Sequence, residues 1–133
     1  MIYQHDIVTF QKFDWTSPDE TVQISWPITR MLYDIGNGKL KFQAVVAEID
    51  KDFVENWLVK REPDMEYVRS LPDAQLIVPV LGAWMPRKSV VLIDGTHRYM
   101  ARYLQKRKTI PYILLAVEDW LPYATITGDL STC

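Results

Sequence analysis

Val90-Val-Leu-Ile-Asp-Gly-Thr-His-Arg98 is the stretch whose reading decides the fold. A short apolar run ends at Asp94-Gly95, and a basic, periodically apolar segment begins at once. This order predicts a strand at 89–93, a tight glycine turn and a helix over 96–108. The backbone N–H groups of Thr96, His97 and Arg98 then fall in the first helical turn. They lack intrahelical partners there, and the helix dipole adds positive character. With the switchable His97 and the cationic Arg98 beside them, such a turn suits a phosphate.

Outward from the turn, 2–10 and 21–26 alternate enough to be strands, with a loop over 14–20 between them. Pro27 opens a helix that runs to Ile35 and stops at Gly36-Asn37-Gly38. A strand is expected over 39–49 with Val45 and Val46 inside. Helices are expected over 50–60, with Asp50 as N-cap, and over 63–70. Strands at 75–81 and 110–117 complete the set, with a turn over 82–88 and one helical turn near Asp119-Trp120-Leu121. Strands interleaved with helices imply an α+β fold, a mixed sheet flanked by helices in one domain spanning 1–133.

Composition is that of an ordinary globular chain: 133 residues, 48 % hydrophobic and 24 % charged. No apolar run reaches the ~20 residues of a membrane span. No signal peptide is visible at the N-terminus, and the single Cys133 forms no internal disulfide, so a cytoplasmic protein is expected. The net charge is −2, yet Arg87, Lys88, Arg98, Arg102, Lys106, Arg107 and Lys108 face one acid, Asp94, between 87 and 108. Positive charge is thus concentrated around the proposed phosphate helix. The chain lacks a Walker loop, a His-Glu-x-x-His pair and Cys-x-x-Cys spacing, which excludes the corresponding ATPases, zincins and zinc ribbons.

Within the expected helix, Met100, Tyr103 and Leu104 recur at helical spacing and should face the sheet. Arg98 and Arg102, four apart, form a ladder suited to successive phosphates. His97 is a candidate phosphate donor or general acid/base. Gly95 lets backbone approach the anion, and Thr96 is a candidate N-cap whose hydroxyl could also meet phosphate. Asp94 is a candidate magnesium ligand or a partner of the turn's own N–H groups. Glu48, at the end of a predicted strand, is the candidate carboxylate for phosphoryl transfer. His5 carries no such context and reads as structural or surface.

The segment over 75–117 resembles the ParB N-terminal-domain/sulfiredoxin superfamily. The resemblance rests on Gln75-Leu-Ile-Val-Pro-Val-Leu81, on the strand and Asp94-Gly-Thr-His-Arg98 turn, and on the Ile110-Pro111 entry to a strand. It implies that fold and a nucleotide phosphate held at the turn, here by Gly95, Thr96, His97, Arg98 and Arg102. Thr96 stands where sulfiredoxins carry their catalytic Cys, so sulfinic-acid reduction is not expected. The stretch after the helix is shorter than a helix-turn-helix domain, so none is expected either. Members with an Asp-Gly-x-His-Arg turn include free-amino-acid kinases and ParB-like nucleases. The expectation is a protein binding ATP or another nucleotide with magnesium, transferring or hydrolysing a phosphoryl group. The alternatives are a ParB-like DNA-binding protein or nuclease, and an inactive member that binds a protein partner. No membrane partner is expected.

Overall fold

The computed structural model describes residues 10–133. The strand expected at 2–10 therefore falls almost wholly outside the described residues, as does His5. Strands and helices interleave in an α+β arrangement. No described helix is long and apolar enough to cross a membrane. The chain divides into two compact units.

The first unit gathers the described residues up to Phe42 with Ala83–Val91 and Leu115–Cys133. Its sheet has the order β1-β2-β7, from Phe13–Thr16, Gln23–Trp26 and Thr125–Thr127. Both pairings are antiparallel, with Phe13 opposite Trp26 and Ile24 opposite Ile126. Part of the expected loop at 14–20 is thus strand β1, because Phe13 and Trp15 pack inward while Asp14 and Thr16 face out. The alternation in the next strand is as expected, with Val22, Ile24 and Trp26 buried. Trp26 meets Trp120 edge-on at 5.3 Å between centroids. The Trp120 indole N–H donates to the Trp84 carbonyl at 2.9 Å. Helix α1, Ile28–Gly36, follows Pro27 and buries Ile28 and Met31. The expected helical turn near Asp119 is α6, Val117–Trp120, continued by a 3-10 turn over Leu121–Tyr123.

The second unit comprises Gln43–Gly82 and Leu92–Leu114. Strand order in the second sheet is β3-β6-β4-β5, from Gln43–Glu48, Thr109–Leu115, Val80–Trp84 and Val90–Asp94. β3 runs antiparallel to β6, placing Val45 opposite Tyr112 and Glu48 opposite Thr109. Adjacent residues of a strand point to opposite faces, so Val45 and Val46 do not share the interior. Val45 is half-buried, whereas Val46 is 72 % exposed.

Two further expectations change. Residues 75–81 do not form a strand: Asp73–Leu76 is a helical turn, α4, and Pro79 precedes β4. The following turn closes later than Gly82, through Met85 N–H to the Ser89 carbonyl at 2.8 Å. The helix after Asp50 is irregular as well. Asp50 caps it by accepting from the Phe53 N–H, as expected. An α turn, α2 over Lys51–Phe53, then widens to a π turn over Val54–Leu58 and tightens to a 3-10 turn over Val59–Arg61. Helix α3, Met65–Ser70, is capped by Asp64, whose carboxylate accepts from Glu66 and Tyr67 N–H groups.

Helix α5 spans Thr96–Leu104, ending a turn before position 108 because Lys106 adopts φ +59°. Its buried residues are Tyr99, Met100, Ala101 and Arg102. Met100 is inside as expected, but Leu104 is exposed and Tyr103 only half-buried. Val54, Leu58, Val68, Leu76, Val80 and Leu92 pack with this face of α5 in the unit's core. Burying each such side chain is worth about 1.5–3 kcal/mol.

Candidate functional site

The turn begins where β5 ends. Gly95 takes φ +105° and is the residue preceding α5. A Cβ built on it would lie 2.4 Å from Val80 Cγ1, so close packing and left-handed backbone both demand glycine here. Gly95, not Thr96, therefore occupies the cap position, and no side chain caps the helix. The first backward bond within α5 is Tyr99 N–H to the Gly95 carbonyl, 2.9 Å. The N–H groups of Thr96, His97 and Arg98 precede it, at the positive end of the helix dipole.

Thr96 serves a different purpose from capping. Its Oγ1 accepts from Arg61 Nη1 at 2.9 Å. Burial disfavours the Arg61 charge and lowers its pKa, while the nearby Tyr112 favours it. Tyr112 is pushed well above its ordinary value, first by burial and then by Tyr99, against the pull of Arg61. Arg61 reaches the turn because Glu62 adopts φ +53° and ends the irregular helix there. Nothing in the spacing of the sequence marks this arginine, which lies 35 residues before Thr96.

His97 Nε2 accepts from the Asp64 backbone N–H at 3.2 Å. That bond assigns the ring proton to Nδ1, so the imidazole offers a donor to a ligand and not a general base. Tyr67 stands edge-on to it at 5.1 Å. Arg98 Nη2 donates to the Pro79 carbonyl at 3.1 Å and to Asp94 Oδ2 at 3.3 Å, and Arg98 Nε is buried with no partner among the described residues. Asp94 is thus engaged with a cation of its own turn. Among the described residues no group of three or more His, Cys, Asp or Glu side chains is placed to hold a metal ion.

The remaining candidates lie elsewhere. Arg102 is 8 % exposed and donates to the Leu76 carbonyl through Nε (2.9 Å) and Nη2 (2.7 Å), and to the Thr109 carbonyl through Nη1 (2.8 Å). It stitches three chain segments together, so the expected Arg98/Arg102 ladder does not form. Burial, then Arg107, lowers its pKa. Glu48 faces Thr109 at the start of β6, the far end of α5 from the turn, and a helix of that length spans about 13 Å. There it lines a shallow cavity of about 600 Å³ with Lys51, Tyr103, Lys106, Arg107 and Lys108.

What the structure assembles at the Gly95 turn is an uncapped helix start with two guanidinium groups, one hydroxyl and an imidazole donor. Chemically this is a receptor for an oxyanion. No family model, curated protein or solved structure matches the chain.

Proposed function

We propose that this chain is a ParB/sulfiredoxin-like protein that binds a nucleotide by its phosphates at the start of α5. The observation that carries the reading is the convergence of Arg61, Thr96, His97 and Arg98 on a helix N-terminus that no side chain caps. In this reading the Thr96, His97 and Arg98 amides and the His97 Nδ1–H donate to phosphate oxygens. Arg61 turns its fork from Thr96 toward the same oxygens. Guanidinium forks match phosphate geometry, and the half-buried setting strengthens each contact relative to water.

Phosphoryl transfer or hydrolysis is the reaction class such a cradle serves. Asp94 is the carboxylate at this turn, and in this reading it replaces Glu48 in orienting a nucleophile or meeting magnesium. Because Asp94 pairs with Arg98, magnesium enters with the nucleotide and on its phosphate oxygens.

Calorimetric titration with ATP, ADP, CTP and GTP, each with and without magnesium, tests the reading. We expect saturable micromolar binding of at least one nucleotide. Thr96→Val and Arg98→Ala should each weaken it about tenfold or more, the loss of one or two charge-assisted bonds. Absence of heat with every nucleotide would overturn it.

A second reading, a DNA-acting protein, draws on the basic cavity at the other end of α5, where Lys51, Lys106, Arg107 and Lys108 outnumber Glu48. It expects a DNA mobility shift that fades steeply with salt. Duplex and single-stranded DNA that stay unshifted at low ionic strength would exclude it.

A further inference from the structure

The first unit holds a cavity of about 770 Å³ that the phosphate turn does not use. Its lining comes from two stretches: Pro27 to Lys41, and Glu118 to Tyr123. This volume lies in the range of small-molecule sites, which span ~300–1,000 Å³.

At its floor lies Asp34, only 4 % exposed. The residue breaks two local rules at once. Carboxylates avoid burial, and they are disfavoured in the last turn of a helix, where the dipole is negative; Asp34 occupies that turn of α1. Such conflicts concentrate at functional positions. Two donors hold it: the Tyr123 hydroxyl at 2.7 Å and Arg30 Nε at 3.3 Å, both on Oδ2. Tyr123 comes first among the causes that keep the carboxyl below its ordinary range, and Lys39 contributes a smaller pull. The Lys39 and Leu40 N–H groups bond the Asp34 main-chain carbonyl at 2.8 and 3.2 Å, fixing the lysine-bearing segment at the cavity.

The charges on the two stretches differ in sign. The first brings Arg30, Lys39 and Lys41 around Asp34, and the second brings Glu118 and Asp119. A bare cation or a bare anion would satisfy one stretch and leave the other's charges unmatched. A molecule carrying both signs satisfies each.

We propose that this cavity binds a small zwitterion bearing one ammonium and one carboxylate group. The carboxylate meets Lys39 and Lys41, the ammonium meets Glu118 and Asp119, and the Asp34–Tyr123 pair holds the floor between them. A free amino acid and a short peptide share this chemistry and differ in the distance between their charges.

Titration of the intact protein with alanine, dialanine and trialanine, followed by amide chemical shifts and calorimetry, separates those two sources. Parallel titrations use the N-acetyl and C-amide forms, putrescine and succinate. We expect saturable binding of one zwitterion, and at least a fivefold weakening, about that of one exposed ion pair, when either end is blocked. Lys41→Gln should weaken the zwitterion by a similar factor and leave its C-amide form unaffected. Glu118→Gln should do the converse with the N-acetyl form. Both side chains are exposed, so the variants should keep the wild-type thermal melt. The proposal is overturned if no zwitterion binds up to about 10 mM, where affinity falls below any specific site. Equal binding of blocked forms, putrescine or succinate also overturns it, as does binding that neither substitution alters.

Discussion

Replacing Gly95 by alanine tests the turn at its tightest point. The left-handed backbone there, φ +105°, costs a Cβ-bearing residue about 1–2 kcal/mol. The new methyl would sit 2.4 Å from Val80 Cγ1 and 2.8 Å from Val80 Cβ, far inside ordinary carbon–carbon contact. Relieving such overpacking costs a further ~1–3 kcal/mol. We expect Gly95→Ala to lose roughly 3 kcal/mol in urea unfolding, seen as a lower midpoint at unchanged slope. Val80→Ala removes the 2.4 Å contact and leaves the one at 2.8 Å. In that background the glycine substitution should therefore cost about 1 kcal/mol less, a coupling that a double-mutant cycle resolves. A Gly95→Ala protein within ~0.5 kcal/mol of wild type, the range of neutral surface changes, would refute the reasoning.

Other outcomes follow from named contacts. Arg102→Met should destabilise by about 3 kcal/mol in the same assay, because the Leu76 and Thr109 carbonyls lose buried, charge-assisted donors; a change under ~1 kcal/mol would show that water replaces them readily. Asp50→Ala should cost about 1 kcal/mol through loss of the Phe53 N–H bond, read as a lower Tm. Asp34 titrates below its unfolded value of 3.8, so its stabilisation is present above that pH and lost as pH falls through the lower folded value. Tyr123→Phe removes the first cause of the shift, and unfolding between about pH 4 and 2 should then depend less steeply on pH. An acid limb identical to that of wild type would refute the assignment.

The sequence made the turn legible because its signals are local. An apolar run, a glycine and a helical period sit side by side at 90–104, and Asp50 carries its capping preference wherever a helix follows. Two kinds of information were not local. Arg61 and Thr96 meet only after 35 intervening residues have folded, so no spacing rule reports them. Arg102 read as a solvent-side partner of Arg98, yet the segment carrying Leu76 covers that flank, and helical period alone does not say what lies opposite. Residues 75–81 failed for another reason. Their apolar content suited a strand, but Pro79 withholds an N–H and Pro72 favours a helical start just after it.

The widened turn at Val54–Leu58 has an evolutionary consequence. Val59 N–H bonds the Val54 carbonyl, five residues back, so the segment holds more chain than an α-helix of equal rise. Deleting one residue there would restore regular α winding and improve local helix geometry. It would also turn everything downstream by roughly 100°, one residue's share of a 3.6-residue turn. Arg61 would then swing off Thr96. A lineage that keeps the arginine at this threonine is thereby barred from the more stable, shorter helix, and chain length in 51–61 becomes a heritable marker of the site, readable in any related gene without a structure.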